Sequence, residues 1–471
     1  MKWIRTHTNR TLLLACLIGL TANLGLGYGV NSGGDTSVAK TGNDAFSLPS
    51  ANMSFTRRLD FNVGNSFFRN PWVIAPSTTK ARDGLGALFN TNGCQNCHIR
   101  DGRGHLPQTD DDNAVSLLVR LSLKPSDEKM RAQVRRLGVI PHPVYGDQIQ
   151  DFSIPGVKAE AQIRLRYETS QISLADGTTV TLQKPLLTLE DLGYGPLGEG
   201  VVYSLRLAPP VIGLGLLEAV PAQQIKQHAD PEDANGDGIS GRWNRVWDVE
   251  RQAMVLGRFG WKAEQPTLKQ QNAAAFVGDI GITSSLFNRE NCTQAQSECQ
   301  QAVTGSEDGA PEISDKLLNL VTFYTRNLAV PKRRNLEDQQ VQQGQGVFQQ
   351  AGCAGCHLPQ LTTPKLAGQP EQSEQTFHPY TDMLLHDMGP GLADNREAYD
   401  ASGTEWRTPP LWGIGLTEDV SGHQHYLHDG RARSLLEAVL WHDGEARASR
   451  DYVVAASRDE RDALLAFLRS L

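Results

Sequence analysis

Two five-residue segments carry residue types and spacing that could do chemistry: Cys94-Gln95-Asn96-Cys97-His98 and Cys353-Ala354-Gly355-Cys356-His357. A Cys-x-x-Cys-His segment can be a metal clamp, a redox dithiol or the attachment point of a c-type haem. A zinc ribbon needs its two Cys-x-x-Cys pairs roughly 15–20 residues apart, and the stretch from Cys97 to Cys353 is far longer. A thioredoxin-like dithiol needs one pair in a βαβ setting, which neither copy has. Haem attachment accounts for both copies: two sulfurs bond to the porphyrin's vinyl groups, and the adjacent histidine turns its ring to the iron. The surroundings repeat as well. "GLGALFNTNGCQNCH" (84–98) and "GQGVFQQAGCAGCH" (344–357) both run Gly-x-Gly, Phe, Gly-Cys-x-x-Cys-His. This predicts one small module used twice, each copy a short helix carrying an aromatic residue ahead of the motif.

The sixth position of a haem iron separates electron carriers, which fill it strongly, from enzymes, which leave it open or weakly held. For the second motif the sequence offers Met383, Met388, His228, His378, His386, His423, His425, His428 and His442, and residue type alone does not choose among them. For the first, His105 and His142 are the candidates. The step from His98 to His105 is tight for a chain passing round a porphyrin edge at about 3.3 Å per residue, so the first iron is expected to be open or weakly ligated. A further candidate site is Asp233, Asn235 and Asp237, followed by Gly238. They match the first half of a calcium-binding EF-hand loop, with Asn244 where the bidentate Glu would stand.

The elements that must position these residues come next. The chain has 471 residues, 39% hydrophobic and 21% charged, with a net charge of −8. The length predicts more than one core, and the acidic balance excludes a basic nucleic-acid footprint. Lys2, Arg5 and Arg10 precede the short apolar run "TLLLACLIGL", the layout of an export signal cleaved between roughly residues 22 and 30. The expected organisation is a signal peptide at 1–28, a flexible leader at 29–54, an N-terminal domain at 55–330 and a C-terminal domain at 331–471. Cys16 offers a lipoprotein alternative, so membrane contact is expected only if the N-terminus is retained or lipidated. In an exported chain Cys292 and Cys299 are expected to form a disulfide. Residues 159–189 alternate and break at Asp176-Gly177, a hairpin signal. Residues 216–229 and 312–328 read as amphipathic helices, 328–335 as a solvated linker, and 457–471 as a last helix opened by a Ser cap.

The segment "HYLHDGRARSLLEAVLWHDGEA" (425–446) resembles the C-terminal signature of the bacterial di-haem cytochrome c peroxidases and of the enzyme that matures methylamine dehydrogenase. With "DGISGRWN", "GRFGWKAEQPTL", "PYTDMLLHDMGPGLAD" and "EWRTPPLWGIGLT", the chain after its leader is similar to the di-haem oxidoreductases described as peroxidases or thiol oxidoreductases. The resemblance implies a mainly α fold of two cytochrome c-like haem domains, the first enlarged by an insertion containing the hairpin. It implies two covalently bound haem c groups, with Ca2+ between the domains. Counting fourteen residues on from His428, as the peroxidase pattern does, reaches His442, so His357 and His442 are the implied axial pair of the second haem. Trp261 takes the position of a Trp between the haems. Gln271 and Asp279 take those of a Gln and an acidic residue over the first haem. The implied activity is peroxide reduction at the first haem, in the periplasm, with electrons from a small cytochrome or cupredoxin-type donor relayed by the second. The alternative is a di-haem electron-transfer protein without its own substrate.

Overall fold

In the computed structural model of the chain, residues 29–107, 115–306 and 308–471 are described; the expected export signal and Cys16 lie outside them. The scaffold is two helix crossings. Helix Arg58–Arg69 packs against Asp315–Arg326, and helix Gln339–Gln350 packs against Arg458–Ser470. Each crossing is made close by one glycine. A Cβ on Gly64 would lie 2.1 Å from the Leu320 carbonyl oxygen, and one on Gly344 would lie 1.8 Å from that of Ala463. One turn further on, an aromatic residue bridges the crossing to a motif histidine. Phe68 lies 5.2 Å from Tyr324 and 6.2 Å from His98; Phe348 lies 5.1 Å from Phe467 and 6.4 Å from His357. Capping follows the sequence: Ser314 accepts from Leu317 N, and Ser457 forms a capping box with Glu460.

The structural repeat is therefore in a different register from the sequence repeat. In the second copy the helix runs directly into its motif. In the first, residues 84–93 hold only the short strand Leu88–Phe89 and no helix. The equivalent helix lies upstream, at Gly64 and Phe68, and residues 70–93 loop out before the chain returns to Cys94.

The expectation of a mainly α, cytochrome-like fold is also corrected. Among the described residues helix makes up 31% and strand 18%, and the strands form six separate two-stranded sheets. Between the helix crossings the sequence pairs as short antiparallel ribbons, such as Leu117–Leu123 with Val201–Leu207 and Arg245–Asp248 with Ala253–Leu256. The helix read over 216–229 is two six-residue pieces, Leu214–Ala219 and Ala222–Gln227. They divide at Pro221, which lacks the N–H to continue the first.

The hairpin is present, with strands Gln162–Ser173 and Thr179–Glu190 paired in register across a turn where Gly177 has φ 83°. Its tip crosses to the C-terminal half. Leu174 and Leu182 pack with Leu440, Trp441 and Val454, and Ala175 N donates to Val454 O at 2.9 Å. The hairpin thereby braces the segment that carries His442.

Residues 29–54, read as a flexible leader, are built in: Ala45 and Phe46 are buried in the largest core, and Ser50 N donates to Asn327 O. Residues 328–335, read as a solvated linker, begin equally buried and reach the surface only at Asn335. Leu328, Ala329 and Val330 carry no more than 1% exposure, and the Arg333 guanidinium lies 4.8 Å from the Phe467 ring. That core gathers Ile212, Leu216 and Leu256 with Leu361, Phe377 and Trp412, so it continues across residue 330. The Cys292–Cys299 disulfide is formed. Among the described residues, no helix is long and apolar enough to cross a membrane.

Candidate functional site

The second motif turns through a short 3-10 helix, Cys353–Gly355, which follows its helix directly. His357 Nδ1 lies 2.8 Å from the Tyr380 carbonyl oxygen, and His442 Nδ1 lies 2.7 Å from that of Ala438. A carbonyl only accepts, so each Nδ1 carries the proton and each Nε2 keeps its lone pair. Burial pushes His357 down to about 4 and lowers His442, so both rings stay neutral. Both rings, Cys353 and Cys356 line one cavity, walled by Trp261, Leu392, Trp406 and Leu411. Two sulfurs, two neutral imidazoles with free Nε2 atoms and apolar walls are the donor set of a covalently held haem with two axial histidines.

The first motif is built alike at its histidine and differently beyond it. His98 Nδ1 donates to Pro209 O at 2.7 Å, and burial lowers its pKa. Burial also raises Cys94 to about 12, with the Asp279 charge adding to it; Cys353 is raised to about 12 for the same first reason. Redox dithiols need depressed thiol pKa values, so these pairs are poor candidates for thiol exchange. The two sixth-ligand candidates for this motif differ: His142 is fully committed, whereas His105 has only Nδ1 engaged. His142 uses both ring nitrogens, Nε2 on Leu197 O and Nδ1 accepting from Val144 N and Tyr145 N. His105 donates from Nδ1 to Leu106 O and lies 6.2 Å from the ring of His423, which stacks on His425.

Asp279 sits on a π-helical turn, Phe276–Ile280, that continues the helix Leu268–Ala275; such turns recur at functional sites. Its backbone oxygen accepts from Asn90 N and Thr91 N, just ahead of Cys94. Its Oδ1 accepts from Gln148 Nε2 at 3.0 Å. Burial raises its pKa, against the opposing pull of the Arg120 charge. The glutamine beside it is thus Gln148, with Gln150 next to it on Gly278 O; Gln271 has no hydrogen bond to Asp279. The Oε1 atoms of Gln148 and Gln150 are buried without a partner. Gln148 stood outside the sequence reading because no local motif marks it. The available signal was two glutamines two residues apart in "DQIQD", which a strand-like segment turns to one side.

Trp261 lines the second cavity and donates from Nε1 to Leu207 O at 2.9 Å. His98 is anchored on Pro209, two residues along the same segment. One short peptide thus holds the first histidine and the indole beside the second site. His428 stacks on Trp406 at 3.7 Å, with burial lowering its pKa to about 3. His386 lies between Asp382 (2.8 Å) and Glu445 (2.7 Å), 3.6 Å from the Cys356 sulfur. Cys356, Asp382 and His386 are the one gathered group of three metal-capable side chains among the described residues. Of the other ligand candidates, Met388 lines the second cavity, Met383 is buried in the core and His378 is held by Pro359 O. His228 is exposed. Asn235 and Asp237 are exposed and Asp233 is half-buried, and all three turn their oxygens on their own loop: Asp233 accepts from Gly238 N, Asn235 from Asp237 N, and Asp237 from Ile239 N.

A chain of Kuenenia stuttgartiensis hydrazine synthase, from a structure pressurised with 20 bar xenon, is similar over 34% of this chain and 57% of its own, with 19% identity and a TM-score of 0.24; a likeness of that size carries no argument. No curated protein matches the chain. The family model "Di-haem oxidoreductase, putative peroxidase" matches residues 28–471. With two histidine-bearing motifs each set in its own helix crossing, the chain belongs to the di-haem oxidoreductase family.

Proposed function

We propose that the chain carries two covalently attached c-type haems, reduces peroxide or a related oxidant at the first, and feeds it electrons through the second. One observation carries this reading. The second motif faces a second imidazole, His442, across one cavity, whereas the protein group set beside the first is a carboxylate, Asp279, held by an amide. Bound haem supplies the redox chemistry. The chain's own residues supply the rest.

Cleaving a peroxide O–O bond heterolytically requires a proton to move from one oxygen to the other. Asp279 is suited to that work because burial raises its pKa towards the working range. Gln148 fixes the direction of the carboxylate through Oδ1. Trp261, anchored beside the His98 support, offers a route for oxidising equivalents between the sites. Export to the periplasm and reduction by a small cytochrome or cupredoxin belong to the same proposal, as does Ca2+ at Asp233, Asn235 and Asp237.

The test is spectroscopic and kinetic. Expressed beside a haem-ligation system, the denatured protein should exceed its polypeptide mass by two haems. Paramagnetic resonance should show one low-spin and one high-spin iron, and peroxide should perturb only the high-spin signal. Two low-spin irons inert to peroxide would establish the electron-carrier alternative instead.

A further inference from the structure

The cavity of the second motif is lined by two buried arginines that form no direct ion pair among the described residues. Three arginines line it: Arg103, Arg407 and Arg450. Arg450 pairs with Asp443 and Asp451. Arg103 and Arg407 form no ion pair with a carboxylate among the described residues, yet they retain only 7% and 9% exposure. Arg103 Nη1 donates to Leu427 O at 3.3 Å, its Nε is buried without a partner, and its guanidinium lies over the rings of Trp261 and Tyr426. Arg407 donates from Nε to Gly260 O and from Nη1 to Thr408 O, each at 3.1 Å. A guanidinium has five N–H donors, so both keep capacity to spare. A buried cation is costly without a counter-charge, and burial lowers both arginines to about 10. The remaining acid on the cavity wall, Glu445, is committed to His386 and Ser240. Arg407 is offset only by the more distant charges of Asp382 and Glu264, so two guanidinium groups without an ion pair face a space suited to a negatively charged occupant.

We propose that Arg103 and Arg407 bind the two propionate carboxylates of the haem held by Cys353, Cys356 and His357. The inference rests on the di-haem reading above and adds to it a link between the modules. Arg103 lies five residues beyond His98, so the first module supplies a counter-charge to the second module's cofactor. Charge-assisted, bidentate Arg–carboxylate pairing suits this geometry.

The experiment uses the full holoprotein with Arg103→Gln, Arg407→Gln and the corresponding lysine variants. All are expected to keep two haems by denatured mass and the low-spin signal. In each glutamine variant the midpoint potential of the low-spin haem should fall by the equivalent of at least a tenfold change in the oxidised-to-reduced ratio, about 59 mV for one electron. It should also gain a pH dependence as the released carboxylate titrates, and lysine should restore part of the shift. Unchanged midpoints in both glutamine variants, with both haems present, overturn the proposal. If a glutamine variant fails to fold, the wild-type resonance Raman propionate bands decide, and bands typical of free carboxylates overturn it. Saturable binding of nitrate or formate that either glutamine variant abolishes overturns it too, because the arginines would then serve a free anion. A wild-type protein without haem defeats the di-haem reading first, and a spectrum distinguishes that outcome from the others.

Discussion

The two motif-bearing halves use the same support and present different partners to it. In each, a glycine lets two helices touch, an aromatic residue fills the crossing, and a motif histidine donates Nδ1–H to a backbone carbonyl. Beyond that the halves diverge. The second cavity presents His442, two unpaired arginines and apolar walls. The first site presents Asp279, Gln148 and a cluster of buried acids and amides. The lesson is that a helix crossing sets a cofactor's attachment, while the segments inserted around it set the chemistry on the far side.

The sharpest way to break this comparison is Asp279→Asn. If the carboxylate moves a proton, peroxide turnover should fall by roughly 10²–10⁴-fold, with haem content and the low-spin signal of the second half unchanged. Equal loss in Asp279→Asn and Gln271→Ala would mean that Asp279 has no special role, since only Asp279 is held in place by Gln148. Gln148→Leu should cost less, because it loosens the carboxylate without removing it, and glutamate at 148 should not rescue it.

The shared support predicts a shared vulnerability. Gly64→Ala and Gly344→Ala each drive a Cβ into a carbonyl oxygen of the facing helix. Each should destabilise the holoprotein by about 3 kcal/mol, at the upper end for overpacking, as read from denaturant midpoints. A neutral effect at either position would show that the two crossings are not equivalent. Leu182→Ala should cost about 2 kcal/mol, because Leu182 packs Leu440 and Trp441 just ahead of His442. Its spectroscopic signature should be loosening of the low-spin signal alone, leaving the first site's response to peroxide intact.

How much of this was legible in the sequence follows from how local each feature is. The disulfide, the hairpin turn at Asp176-Gly177 and the Ser457 cap are spelled by residues near one another, and all are found as expected. His442 came from counting along a resembling segment and does share the cavity of His357. Gln148 was illegible because its contact with Asp279 spans 131 positions. The first module's counterpart of the second module's helix was hidden because Gly64 and Phe68 stand well upstream of His98, whereas Gly344 and Phe348 stand just before His357. The strand content was underestimated because, outside the long hairpin, the two-stranded ribbons among the described residues leave only short alternating stretches.

The smallest expected effect tests whether the contrast between the halves extends to protons. Glu160, beside the first site's amides, accepts from Gln150 N, and burial raises its carboxyl to about 8. The unfolded chain loses that proton near pH 4, so the native state binds more protons between about pH 4 and 8. Stability from this group is full below that window and declines as pH rises through it. His428, on the other side, is held by burial at about 3, whereas an unfolded histidine protonates near 6.5. The native state then binds fewer protons in that window, so stability falls as pH drops through it. Taking the holoprotein from pH 7.5 to pH 5 should therefore slow amide exchange, corrected for its intrinsic pH dependence, around Gln150 and Glu160. The same change should hasten exchange around His428 and Trp406. Movement of both regions in the same direction would mean that the halves differ in ligands alone and share one electrostatic environment.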